Sequence, residues 1–326
     1  MNDPQVPVES ADHHYVPEFY LKGFMDKKHV LWVYEKGTNA PRPSTPKQEG
    51  HRENYYTFTD RGYADDSAEK MLSRAESMVA PTIRKLANPQ FKMTDKQRSE
   101  LYSFVALMFV RVPAYREFLD DQAGRMMKAF GQKKARDKEE FYAGLRQYES
   151  ETGKPLGMDP EKLREFAMSD RYTVKQMSVA FNLQFALRAC ITIAEILDRE
   201  YSDDVLYAPA GQFFLTCDNP IVTLGPGTDG QATIGMGFAW PQTEVVFPLN
   251  KRACMILSRR GQRQQIAASE SRTKQINDLM MVVAQRYVYG PVGFRRLSRV
   301  FNERGPKIRY GENAFMSEAP GAKGAH

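Results

Sequence analysis

Apolar residues recur along this chain with two different periods, and the change of period divides it. Leu72, Val79, Ile83 and Leu86 keep the spacing of one helical face, which predicts a helix over 67–87 that Pro81 bends. Leu101, Phe104, Val105, Met108, Phe109 and Val112 form a second stripe, and Thr94 is the candidate N-cap of a helix over 94–112. Residues 174–199 are apolar nearly all round, so a long, central helix is expected there. Beyond it the pattern shortens to "DVLYAP", "QFFLTC", "PIVTL", "TEVVFPL", "ACMILS" and "RYVYG", runs parted by Gly, Pro, Asn and Asp. That is the pattern of antiparallel strands. One further helix is expected over 271–284. Near the start, "HVLWVYEK" (29–36) and "NYYTF" (54–58) read as strands joined by the Pro-rich "NAPRPSTPK".

Helices segregated from strands predict an α+β fold: a helical middle segment packed with a mainly antiparallel sheet built from N-terminal and C-terminal strands. A single domain is expected over 11–310, with a charged helical insertion at about 124–172 that the loop 151–160 breaks. Residues 1–10 read as a loose arm and 311–326 as a small-residue tail. The glycine-rich stretch 225–237 lacks the Lys-Ser/Thr of a phosphate loop and reads as a mobile loop.

Composition changes this picture in two places. No apolar run approaches a membrane span, the first residues carry no secretory signal, and the three cysteines are widely spaced. A reduced, cytoplasmic setting is the expectation. Net charge is +6, but residues 251–310 hold 14 Lys and Arg against three acids, a local +11 that leaves −5 for the remainder. Eleven of those cations are arginines, whose planar fork suits phosphate. The region 251–310 is therefore the expected surface for nucleic acid or another polyanion. Within "GFRRLSRVF", Phe294, Leu297 and Phe301 are expected to anchor a helix whose arginines face out.

Candidate chemistry shows as polar residues set among apolar ones. Glu76 falls about 40° from Leu72 and Glu69 about 60° on the helical wheel, both on the apolar stripe. Arg111 lies inside the apolar sector of the next helix. A guanidinium cannot shed its charge, so there it needs a carboxylate or a bound anion; Glu76 is the obvious partner. Gln184, Arg188 and Glu195 make a polar seam on the 174–199 helix. Asp218, Asn219 and Pro220 sit between two apolar strands, which ordinary turn chemistry also explains. His51, Glu53 and Asn54 precede a strand. His13 and His14, two of only five histidines, stand side by side before an apolar run.

These residues make the chain resemble the family catalogued as domain of unknown function 4238, found mainly in bacterial and phage-related contexts. The match lies in His13, His14, Pro17, Leu21 and Phe24, then in Glu53, Asn54 and Tyr56. It continues through Glu69 and Glu76, Arg111 and Pro113, and Asp218, Asn219 and Pro220, to Phe247–Leu249. Cys217 stands where the family usually has serine, which argues against a serine nucleophile. The resemblance implies one polar site drawing on His13, His14, Glu53, Glu76, Arg111, Asp218 and Asn219, and a toxin or phage-defence setting. It implies no activity.

Two histidines with carboxylates suit a divalent ion, Mg, Mn or Zn. Adjacent histidines in a strand point to opposite faces, so one would hold the metal and the other would orient a carboxylate or act as base. The expected ligands are His14, Glu53, Glu76 and Asp218. The expected catalytic set is His13, His14, Glu76, Arg111, Asp218 and Asn219. The arrangement resembles that of His-metal nucleases, and a metal-assisted phosphodiesterase is the leading expectation. The alternative is a non-catalytic nucleic-acid-binding or sensor protein, in which His, Glu and Arg form a buried structural network.

Overall fold

The computed structural model describes residues 12–53, 55, 58–60, 63–65, 67–175, 179–227 and 232–304. The expected arm and tail lie outside them, as do most of the expected strand at 54–58 and part of the 225–237 loop. Among the described residues, six strands and a short α-helix come first, with 3-10 turns at Lys22–Phe24 and Pro46–Gln48: β1 (Asp12–His14), α1 (Glu18–Leu21), β2 (Leu31–Glu35), β3 (Arg42–Ser44), β4 (His51–Glu53), β5 (Phe58–Asp60) and β6 (Tyr63–Asp65). The helices α2 (Ser67–Lys85), α3 (Asp95–Arg111), α4 (Pro113–Arg136), α5 (Lys138–Thr152), α6 (Pro160–Met168) and α7 (Val179–Glu200) follow. The last third holds β7 (Ser202–Tyr207), β8 (Thr216–Cys217), β9 (Val222–Pro226), β10 (Ala232–Ile234), β11 (Glu244–Pro248), β12 (Ala253–Ser258) and β13 (Gln265–Ala267), then α8 (Glu270–Val283), β14 (Tyr287–Gly290) and α9 (Arg295–Arg304). The fold is α+β.

Two sheets carry most of the strands. One runs β10-β9-β11-β12-β7-β13 and is antiparallel except where β13 joins β7; the other runs β3-β2-β14-β8, antiparallel throughout. The second sheet mixes N-terminal with C-terminal strands. Tyr34, Val222, Val246, Cys254, Ile276, Met280, Val288 and Phe301, from both sheets, α8 and α9, form one buried cluster.

The chain divides into two compact units, residues 1–116 with 179–326, and residues 117–178. The stretch read as a charged insertion lies in the second. There Asp137 and Asp159 cap α5 and α6 through their carboxylates, and neither helix buries a residue. The stretch is not uniformly polar: Met126, Met127, Phe130, Tyr148, Met158 and Phe166 are exposed in it.

In the first unit, Thr94 and Gln97 cap α3 reciprocally, as a capping box. Leu101, Phe104, Val105, Met108 and Val112 of the predicted stripe are buried, and α3 packs along α7. Arg98 and Tyr102 both donate to Asp203 Oδ1, at 2.9 and 2.8 Å, tying α3 to β7. The expectation of a central α7 is corrected. Ile193 and Leu197 are buried, but Ile191 is 61% and Phe185 44% exposed, and Gln184, Arg188 and Glu195 are exposed too. Apolar composition reports what a helix could bury, not how many sides are covered.

The N-terminal segment is core. Tyr15, Val16, Tyr20, Leu21 and Phe24 are all at most 4% exposed. The Tyr20 ring stacks on Phe247 at 5.3 Å, and its hydroxyl donates to the Pro248 carbonyl at 2.6 Å while bonding Thr216 at 2.7 Å. Gly50 closes the segment onto β4: its carbonyl accepts from Tyr15 and Val16, and its φ is +68°. A Cβ there would meet Val16 Cβ and O, each at 2.9 Å. Gly50→Ala is therefore expected to cost about 2–4 kcal/mol in denaturant unfolding, from left-handed strain plus overpacking. Gly37→Ala, with φ +84° and open space, should cost only the strain, about 1–2 kcal/mol. Equal losses would refute the packing argument.

Candidate functional site

β1 and β4 pair antiparallel with His14 opposite His51 and His13 opposite Arg52. Directly opposed residues share a face of the ladder, and the His14 and His51 rings lie 5.4 Å apart, tilted by 47°. His13, one position along, is 3% exposed. His14 bonds the Lys47 backbone. Its Nε2 is buried and meets no hydrogen-bond partner among the described residues. Burial, then the neighbouring His51, holds the His14 pKa below the ordinary 6.5, outweighing the Lys47 bond and the pull of Glu18 and Glu76. The imidazole is neutral at pH 7.

Arg111, 4% exposed at the end of α3, is the buried cation that the helical stripe predicted. Its Nη1 donates to Glu76 Oε1 at 2.9 Å and its Nη2 to the His14 carbonyl. One side chain thus joins α3, α2 and β1. The Glu76 side chain is 23% exposed, so the pair sits at the margin of the interior.

Asp218 lies in a different setting. Both of its oxygens are engaged by backbone: Oδ1 accepts from Gln285 at 2.8 Å, and Oδ2 from Arg286 and Tyr287 at 2.7 and 3.0 Å. Burial pushes its carboxyl up to about 6 against those three donors. Its charge also raises the hydroxyls of Tyr15 and Tyr289 beyond the effect of their burial. Asn219, 3% exposed, donates to the Val283 carbonyl at 3.4 Å and accepts the Cys217 thiol at 3.1 Å. Burial lifts the Cys217 thiol well above its usual range, so it is no thiolate nucleophile.

The predicted residues thus fall into groups. His14, Glu76 and Arg111 meet directly. Asp218 and Asn219 organise the turn before β14, with Tyr15 and Tyr289 as electrostatic neighbours. Glu53 is exposed on β4. Asn54 and the Glu69 side chain lie outside the described residues. Among the described residues, no three His, Cys, Asp or Glu side chains cluster closely enough to hold a metal ion by themselves. Two features escaped the sequence reading. One is the His14–His51 pairing, which strand register alone creates. The other is Glu49, 4% exposed and held by Arg42 and Ser44.

The basic region is only partly free. Arg252 is spent on the carbonyls of Ala208, Pro209 and Gln212, and Arg259 on Glu200 and Tyr201. Arg263 pairs with Asp95 and Arg286 with Glu35. Arg260, Arg295, Arg296 and Arg299 are exposed. Phe301 (1% exposed), Leu297 and Val300 anchor α9 on the core. Phe294, expected as an anchor, is instead 56% exposed; it precedes the first turn of α9 and misses the helix's buried face.

Breaking a buried pair from the cationic side strands the carboxylate and here also the His14 carbonyl. Arg111→Ala is expected to cost about 3 kcal/mol in denaturant unfolding, and a cycle with Glu76→Gln should show coupling. Additive losses would sink the network. A base with a lowered folded pKa contributes stability above its unfolded value, lost as pH falls through the folded one. Wild-type stability should therefore drop below pH 6.5 more steeply than that of His14→Gln, in melts from pH 7 to 5. Parallel profiles would refute the assignment.

Comparison with curated proteins and with solved structures returns no match. The model of the family described as protein of unknown function (DUF4238) matches residues 12–291, a span from β1 to just beyond β14, and the chain belongs to that family.

Proposed function

We propose that this protein binds nucleic acid, with α9 gripping the phosphate backbone. The observation that carries the reading is the set Arg295, Arg296 and Arg299, exposed on a helix anchored from its other side and without ion pairs among the described residues. Guanidinium forks match phosphate oxygens, and the adjacent Phe294, 56% exposed, offers an aromatic face on which an unpaired base can stack. Arg260 adds a further exposed cation. The arginines already committed to Glu200, Asp95 and Glu35 are left out of the reading.

A second reading, metal-assisted phosphodiester hydrolysis, is favoured by the neutral, unpartnered Nε2 of His14. An imidazole in that state can accept a proton from water or ligate a metal.

Replacing Arg295, Arg296 and Arg299 together with alanine should weaken binding to DNA and RNA, and flatten the slope of log affinity against log salt by about 2–3. Arg263→Ala should leave the slope near that of wild type. Salt-independent titrations, or no binding at low ionic strength, would overturn the nucleic-acid reading. Incubating the same preparations with DNA and RNA in Mg²⁺ or Mn²⁺ separates the two readings. Hydrolysis predicts cleavage that His14→Gln abolishes while binding survives; binding alone predicts intact substrate throughout.

A further inference from the structure

Strand register brings the His14 and His51 rings together. The two residues are directly opposed in an antiparallel ladder, so their rings are held on one face by backbone register. With metal–nitrogen distances of about 2.0–2.1 Å and a ring nitrogen about 1.2 Å from its centroid, two imidazoles on one tetrahedral ion have centroids about 5 Å apart. These centroids are 5.4 Å apart. His14 Nε2 is buried without a hydrogen-bond partner among the described residues, a state that costs free energy unless something is bound there. Both residues are half-buried as wholes, while His14 Nε2 and His51 Nδ1 are themselves buried.

We infer that His14 and His51 form the imidazole pair of a site for one divalent transition-metal ion. Imidazole donors select zinc, copper, nickel or cobalt over magnesium and calcium, which take oxygen. No third protein donor among the described residues joins them, so water or a substrate oxygen completes the shell. Glu76 lies within electrostatic reach of His14, and its bond to Arg111 uses Oε1. Its role is to orient a metal-bound water rather than to ligate. The inference rests on the imidazole pair, not on α9 or on hydrolysis.

The test uses the full chain, stripped with chelator and titrated with Zn²⁺ by calorimetry, and with Co²⁺ by visible absorption. Wild type is expected to take one ion per chain at this site and to melt at a higher temperature with Zn²⁺, because only the folded state presents the pair. His14→Gln and His51→Gln should each weaken Zn²⁺ binding by about tenfold or more, and Glu76→Gln by less. His29→Gln, in an unrelated turn, should bind as wild type does. A readout independent of variant folding is diethyl pyrocarbonate labelling of wild type, mapped by mass: Zn²⁺ should protect His14 and His51 and leave His29 reactive. No Zn²⁺-dependent rise in melting temperature, unchanged affinity in folded His14→Gln and His51→Gln, or no protection of the pair would each overturn the inference. These readouts involve no nucleic acid, so they fail or succeed apart from the proposed function.

Discussion

A guanidinium cannot be neutralised by losing its proton, so a buried arginine dictates what surrounds it. Arg111 sits at the end of α3 with 4% exposure and satisfies itself on the Glu76 carboxylate and the His14 carbonyl. Those partners belong to α2 and β1, which sequence separates widely. The His14 carbonyl is backbone, so this bond fixes where the strand lies without using the imidazole, whose hydrogen bond goes to the Lys47 backbone. The structural demand of one charge thereby positions the His14 ring.

The segment after β1 depends on the same placement. Once His14 is fixed, Tyr15 and Val16 dock on the Gly50 carbonyl, and Tyr20, Leu21 and Phe24 enter the core, where Tyr20 packs on Phe24 and Phe247 while Phe19 meets Phe104. Burying the Tyr20 hydroxyl would be costly if it were unpaired, but Pro248 and Thr216 receive it. The first residues described are thus held by strands formed more than 190 residues later. Residues that look in sequence like an isolated His-His-Pro motif are joined to β8 and β11 by packing.

What was legible in the sequence follows from how local each signal is. The Thr94 cap and the short runs of the C-terminal sheet are local patterns, and the elements appear where those patterns stand. Arg111 was legible because a charge on an apolar stripe demands a partner, and Glu76 was within reach of the argument. The His14–His51 opposition was not, since it depends on the register of two strands whose connection includes β2 and β3. Nor was the exposure of α7, because whether an apolar side is covered is a property of the assembled fold. Charge counting also overstated the free basic surface: Arg252, Arg259, Arg263 and Arg286 were counted as cations but are held by carbonyls, hydroxyl or carboxylates.

Asp218 connects this scaffold to the helix proposed to bind. Its carboxylate collects the N–H groups of Gln285, Arg286 and Tyr287, the residues that lead into β14. That turn sets β14 beside β2, where Tyr34 donates to the Val292 carbonyl and accepts from Phe294 N–H at 3.2 Å. Asn302 then closes on β2's far end, accepting from Gly37 N–H at 2.8 Å and donating to the Thr38 carbonyl at 2.9 Å. With both ends of α9 tied to one strand and Phe301 buried beneath it, the helix has little freedom to roll. Arg295, Arg296 and Arg299 therefore stand on a fixed surface, and their own side chains are what binding must order. Fixing the helix in advance spares the backbone part of the ordering cost of association. Under the proposed nucleic-acid binding, the part of the buried Asp218 is indirect: it holds the turn from which the arginine face is built.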